Sequence, residues 1–307
     1  MEVSQGSNAA VAQLGRASDC HSEGRGFEPR QLLHNSKRKE MINMRCGAIF
    51  SGYDARDYKL VYTAPTADFP AEFELEMRRI KNQGSVGSCV AHSLSSIIEY
   101  YNFNQTGDDS EMSVGYIYGN RKTSEYKSEG MIMRDALEAV RKYGDVRNDL
   151  FPYNEEVPKM VMMFDRQHRH LHKDAYPNRI SQYARVTSPN AIKASLMAGN
   201  PVLMAMIWYG DMKVVDGVLV TNEYLYEGGH CMFIYGWDER GWKVQNSWGE
   251  DWGNHGTMIV PYDMPIEEFW TLTDNIIEGA EVKKPYSSKP GKIVAKVINK
   301  VNKIFKR

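Results

Sequence analysis

Residues 82–101 read NQGSVGSCVAHSLSSIIEYY, a turn-forming run that passes directly into apolar helical spacing. After Gln83-Gly84-Ser85-Val86-Gly87-Ser88, apolar side chains fall at Val90, Ala91, Leu94, Ile97, Ile98 and Tyr101, the pattern of a helix with a broad buried face. Cys89 therefore stands in the first turn of a core helix, where the dipole favours a thiolate. A solitary cysteine in an apolar helix is by default a small buried hydrophobe. The glycine turn in front of this one argues for chemistry instead.

Outward from that helix, Asp68 to Arg79 reads as an extended approach segment governed by Pro65 and Pro70. Downstream, Ala136, Leu137 and Val140 predict a helix over Met133–Tyr143 closed by Gly144, and Asn190–Ala198 predicts another ended by Gly199-Asn200-Pro201. The charged, His-rich stretch from Asn154 to Asn178 reads as an exposed loop or insertion. Beyond it the texture changes. Short β-branched, aromatic and Met-rich runs at 201–209, 217–221, 231–237, 241–246 and 257–261 are bounded by Gly, Asp and Asn, as in an antiparallel sheet. A helical half (about 80–180) followed by a β half (about 181–275) is an α+β protein with its site in the cleft between the halves.

The composition bounds the rest. In 307 residues, 38 Lys and Arg nearly cancel 39 Asp and Glu, so no net field points to a nucleic-acid partner. Cys20, Cys46, Cys89 and Cys231 contain no CxxC pair, which argues against a zinc site, and four cysteines in so long a chain argue against a disulfide framework. No cofactor or metal is expected. His168, His170 and His172 alternate in RQHRHLHK, but their charged surroundings favour a solvated loop over a metal site. Cys231 reads as a buried strand residue. With no bilayer-spanning apolar run and no signal-peptide pattern, a reducing cytoplasm is the expected setting, the host's if the source is viral.

Amide hydrolysis needs an activated nucleophile, a proton donor and an oxyanion hole. His230 follows Glu227-Gly228-Gly229 and opens a strand, and Asn246 ends the next strand across the turn Asp238-Glu239-Arg240-Gly241. In a hairpin about that turn the two lie nearly opposite or one diagonal apart. An Asn carbonyl accepting the ring N–H would orient the imidazole and stabilise a thiolate–imidazolium pair, leaving Cys89 ionised at neutral pH.

The blocks NQGSVGSCVAHS (82–93), GGHCMFIYGWD (228–238) and NSWGEDWGNHG (246–256) resemble, in order, the three signature blocks of papain-like cysteine peptidases. Residues 130–153 and 191–202 are similar to the bacterial branch, so the likeness covers roughly 69–262. It implies a two-subdomain papain-like fold and a cysteine-type endopeptidase with Cys89, His230 and Asn246 as catalytic residues. It further implies Gln83 as the oxyanion side chain, Trp248 as the indole shielding the His230–Asn246 contact, and Gly130 and Gly229 with Trp248 as substrate-binding positions. A polypeptide substrate and a monomer follow. A thiol acyltransferase or deamidase shares these blocks; an inactive peptide-binding module would lack a catalytic group, and none is missing. The chain departs from the family at Val86, where secreted members have a disulfide cysteine, and at Val90 and His92, which replace aromatics. Some thirty residues between Met41 and the likeness are too few for the family's usual inhibitory propeptide, so zymogen control is not expected.

The ends of the chain read separately. Val11 to Arg30 is Gly- and Arg-rich without periodicity, and Gly26-Phe27-Glu28-Pro29 matches an in-frame transfer-RNA T-arm; residues 1–40 are therefore expected to be a non-native extension or a disordered arm, with Met41 or Met44 as the start and 41–68 as an approach segment. The peptidase domain is expected over 69–275 and a linker over 276–291. Residues 292–307 alternate Ile, Val and Phe with lysines as a basic amphipathic helix, suited to an anionic membrane surface or a protein partner.

Overall fold

The helix predicted behind the glycine turn begins at Cys89 itself and runs to Thr106 (α1), stopped by Gly107 in the left-handed conformation. In the computed structural model, residues 46–63, 68–122, 129–153, 166–221, 225–273 and 280–283 are described, and all lie in the unit Met41–Arg307. Every residue of α1 from Cys89 to Tyr101 is buried, polar ones included. The helix is a pillar through the core, and its buried Glu99 is neutralised by Lys81 at 2.7 Å and accepts the Met112 N–H at 2.7 Å.

Two short strands, β1 (Ala48–Ile49) and β2 (Lys59–Tyr62), precede β3 (Phe73–Glu74) and α1. Helix α2 (Val114–Gly119), strand β4 (Met131–Ile132) and helix α3 (Met133–Tyr143) complete the helical half. The His-rich stretch is ordered where it is described. Arg166–Leu171 forms a 3-10 turn leading into α4 (His172–Ala175), and a second 3-10 turn spans Tyr176–Asn178. Here the expected loop gives way to a small core of Tyr116, Val146, Leu171 and Ala175. His172 stacks on Tyr143 at 4.6 Å and meets the Tyr116 hydroxyl at 2.7 Å. Its ring is packed into the helical half, and among the described residues no group of three or more His, Cys, Asp or Glu could hold a metal.

The β half follows as β5 (Gln182–Val186), α5 (Pro189–Met197), β6 (Val202–Tyr209), β7 (Lys213–Val215), β8 (Val218–Val220), β9 (Tyr226–Asp238), β10 (Gly241–Gln245), β11 (Thr257–Pro261), β12 (Glu268–Thr273) and β13 (Ala280–Lys283). These join one sheet of order β13-β2-β5-β12-β6-β9-β10-β11-β8-β7, with β3 on β9. Most pairs are antiparallel; β2–β5 and β8–β11 are parallel. Two strands fall outside the expected 69–275 span. β2 and β13 pair in register from Lys59↔Lys283 to Tyr62↔Ala280, extending the sheet on both sides of the anticipated boundaries. Four-residue strands rich in Lys and Glu give too little alternation to be read from sequence. The C-terminal segment 292–307 and residues 1–40 lie outside the described residues.

Candidate functional site

Three elements converge on Cys89. It opens α1, whose Ser93 hydroxyl donates to the Cys231 carbonyl at 3.3 Å, fastening the helix to β9. The backbone N–H of Cys231 also faces the Cys89 sulfur, so the peptide that follows His230 lies against the helix start. Within β9, His230 pairs with Met206 of β6. The β9–β10 hairpin carries a bulge at Lys243/Val244 and sets Gln245 opposite Phe233, leaving Asn246 diagonal to His230, as expected.

The side chains meet across that diagonal. His230 Nε2–H donates to Asn246 Oδ1 at 2.8 Å. The Ser247 N–H donates to the same oxygen at 2.8 Å, which fixes which end of the amide faces the ring. His230 Nδ1 then carries no hydrogen bond among the described residues and is the ring atom left to exchange a proton. Trp248 stacks on the imidazole at 4.6 Å and 26°, covering the bond from water.

Gln83 sits on the other flank. Its N–H donates to the Ser247 carbonyl at 2.9 Å, and its Oε1 accepts from Ser247 Oγ at 2.8 Å and Trp248 Nε1 at 3.1 Å. Two donors on one oxygen orient the amide, so Nε2, which reaches the Val86 carbonyl at 2.9 Å, is the donating end on the Cys89 side. Val86, where a disulfide cysteine was considered, is buried; the turn is held instead by the Gly87 N–H on Glu129 Oε2 at 3.2 Å and by the Tyr153 hydroxyl on the Gln83 carbonyl at 2.7 Å.

Sequence reasoning missed two indoles and a strand. Trp208 meets His230 edge-on at 5.4 Å, so it and Trp248 both pack on the histidine, and Trp252 backs Trp248 at 5.1 Å. Trp208 read only as a strand aromatic, and nothing in its spacing sets it apart.

The larger difference is in the cleft, which the chain fills with its own residues. β1 pairs parallel to β4, Ala48 opposite Met131, and the Met131 N–H donates to the Gly47 carbonyl at 2.9 Å. A side-chain carbon on Gly47 would lie 1.9 Å from the Gly87 carbonyl oxygen, one on Gly130 2.3 Å from that of Gly47, and one on Gly229 2.1 Å from that of Ala48. The glycines expected to receive a peptide thus receive residues 46–50. The strand is pinned just beyond the cleft: the Ser51 N–H donates to Glu268 Oε1 at 2.9 Å, Arg134 donates to the Ser51 and Gly52 carbonyls, and buried Asp57 bridges Arg134 at 2.6 Å and Arg185 at 2.7 Å. What read as an approach segment is a resident of the groove.

That residence sets the electrostatics. Cys89 and His230 are wholly inaccessible to solvent. Burial raises the Cys89 thiol, against the opposing amides of Cys231, Gly47 and Val90, and holds His230 down to about 4, against the bond to Asn246. The expected ion pair is therefore disfavoured while β1 is seated: desolvation outweighs the helix dipole, leaving a neutral thiol and a neutral imidazole.

Comparison with known proteins agrees with this geometry. The sequence model of the papain family of cysteine proteases matches residues 66–265. The chain belongs to the papain family of cysteine proteases. An uncharacterized peptidase C1-like protein of Acanthamoeba polyphaga mimivirus is 24% identical over 225 residues, covering 64% of this chain and 71% of the relative. Thiol protease SEN102 of Hemerocallis is 26% identical over 212 residues, 65% of this chain and 55% of its own length. Among solved structures, xylellain, a cysteine protease from Xylella fastidiosa, shares the fold with a TM-score of 0.66 at 24% identity, over 79% of this chain and 99% of its own. The papain-family match ends before β12 and starts after β2, so the strand in the cleft lies outside the residues that the family model matches.

Proposed function

We propose that this papain-family chain is an endopeptidase that cuts polypeptides through an acyl-enzyme on Cys89. With the groove open, Cys89 passes its proton to His230 Nδ1 and the thiolate attacks the scissile carbonyl. The oxyanion is met by the Cys89 N–H and Gln83 Nε2. His230 protonates the leaving amine as the tetrahedral adduct collapses, and then takes a proton from the water that releases the acid. Asn246 keeps Nε2 bonded throughout, so that Nδ1 does the proton transfer, and Trp248 keeps that bond dry. The observation that carries this reading is the 2.8 Å His230–Asn246 bond set beside the start of α1, on a strand whose next amide faces the Cys89 sulfur.

Gly130, Gly229 and Trp248 receive the substrate in this reading, which pairs along β4 as an added strand. Stoichiometric labelling of Cys89 by an epoxide inhibitor, abolished in His230→Ala, tests the pair; labelling that survives the substitution refutes it. Product analysis with a competing amine separates hydrolysis from acyl transfer. We place the protein in the cytoplasm as a monomer; no helix among the described residues is long and apolar enough to cross a membrane. The basic stretch 292–307 is assigned to an anionic membrane surface, and co-sedimentation with anionic liposomes that is unchanged by its deletion would end that assignment.

A further inference from the structure

The strand in the cleft brings a second thiol to the first. Cys46 immediately precedes Gly47, whose amide faces the Cys89 sulfur. The Cα of Cys46 is only roughly 2.4 Å from that amide nitrogen by standard backbone dimensions. Its side chain packs on the other wall, where a carbon on Gly228 would come 2.8 Å from Cys46 Cβ. Gly47 itself rests on Gly87, two residues before Cys89. Cys46 is thus bracketed between the turn that presents the nucleophile and the strand that presents the base. It is partly exposed while Cys89 is buried, and both are free thiols. A disulfide asks for a Cα separation of about 4.4–6.8 Å, and the contact of Gly47 with Gly87 brings the two chain segments together one residue from Cys46 and two from Cys89.

We propose that Cys46 is a resolving thiol for Cys89, and that hydrogen peroxide joins the two in a disulfide that locks residues 46–50 in the substrate groove. In molecules whose groove is momentarily open, the Cys89 thiolate attacks peroxide; an S–O bond forms, the O–O bond breaks, and the departing hydroxide takes a proton to leave as water. The Cys46 thiolate then attacks the sulfenic sulfur, forming S–S and breaking S–O, and a second water departs after protonation. Two thiols lose two electrons and one peroxide becomes two waters. A bond of this kind is transient in a reducing compartment and reversed by thiols. Return of the strand supplies the proximity, since a strand that stayed away would leave Cys89 to oxidise further to acids that thiols do not restore. Cys89 disfavours the Cys46 thiolate electrostatically, which agrees with their closeness. Cys231, within β9, is buried with its thiol on the Met232 carbonyl at 3.8 Å; it too feels the Cys89 sulfur, so peptide mapping must tell the two partners apart.

The chemistry rests on the nucleophilic Cys89 proposed above, but its readout does not require hydrolysis. The full chain is treated with hydrogen peroxide, alkylated without reduction and mapped by mass spectrometry. The expected product is a cross-linked pair of peptides containing Cys46 and Cys89, two mass units below the sum of the thiols and dissolved by dithiothreitol. In Cys46→Ser and, separately, Cys46→Ala, Cys89 should instead carry two or three oxygens that dithiothreitol does not remove, while Cys231→Ser should behave as wild type. Cys89 found as sulfinic or sulfonic acid in wild type as readily as in the Cys46 variants, or joined to Cys231, overturns the proposal. A chain that forms the cross-link yet cleaves no peptide would leave the latch standing and refute the peptidase reading.

Discussion

Gln83 shows how much of a catalytic side chain's role is settled by its neighbours. Its carbonyl end is taken by Ser247 and Trp248, so the amide cannot turn over without losing two buried hydrogen bonds. Gln83→Ala is expected to lower kcat by about 10²–10³, with KM nearly unchanged, because the bond it supplies forms only with the oxyanion. Steady-state kinetics on a peptide substrate measures the split. Trp248→Phe keeps a ring to stack on His230 and removes only the N–H to Gln83. A neutral hydrogen bond is worth about 0.5–1.5 kcal/mol, so this variant should lose up to about tenfold in kcat; a loss as large as that of Gln83→Ala would show that the indole acts chiefly by covering the histidine.

At the scale of elements, β1 decides whether the site can be reached at all. Its seat against Gly87 tolerates no side-chain carbon on Gly47, because the nearest atom is backbone. Gly47→Val should therefore expel residues 46–50 from the groove while β2 stays in the sheet through its pairs with β5 and β13. Alkylation of Cys89 by iodoacetamide should then be several-fold faster than in wild type, since thiolate hydration returns with solvent. An unchanged rate, with the fold intact by circular dichroism, would mean that the strand does not limit access. The predicted helices and most predicted strands emerged within a residue or two, because Ala136, Leu137 and Val140 announce one buried helical face and the apolar runs of β10 and β11, buried on both faces, are bounded by turn residues. β1 and β4 were not legible. Two-residue strands carry no period, and only the tertiary juxtaposition of Gly47, Gly87 and Gly130 creates them.

For the molecule as a whole, buried titratable groups set the response to acid. His92 and His230 are held down to about 3 and about 4 by burial, so below 6.5 the unfolded chain binds two protons that the native state refuses, and stability falls with pH. Asp145 is opposite in sign. Burial raises it well above 3.8, so its protonated form belongs to the native state, and that contribution is lost as pH rises through its folded value. Between about pH 6 and pH 4.5 the two histidines set a slope of up to about 2.7 kcal/mol per pH unit, which Asp145 opposes and to which partly buried His172 adds in the same sense. Asp145→Asn should remove that opposition, steepening the slope, and stabilise the protein at neutral pH; urea titrations across the range decide it. The candidate site's residues and the α+β fold were readable largely from three short blocks, since residues 82–93, 228–238 and 246–256 carry turn, strand and side-chain chemistry together. Closing of the site was not, because the segment responsible, Cys46–Phe50, has no motif and acts only by lying where a peptide would.

That occupancy has a consequence for anyone measuring affinity. A peptide offered to this groove competes with a tethered rival that never diffuses away, so its apparent Kd is the intrinsic value divided by the fraction of molecules whose groove is vacant. If one molecule in a hundred is vacant, a ligand of about 10 nM intrinsic strength will register near 1 μM, and weak binding in a screen would then reflect the lodger rather than poor fit.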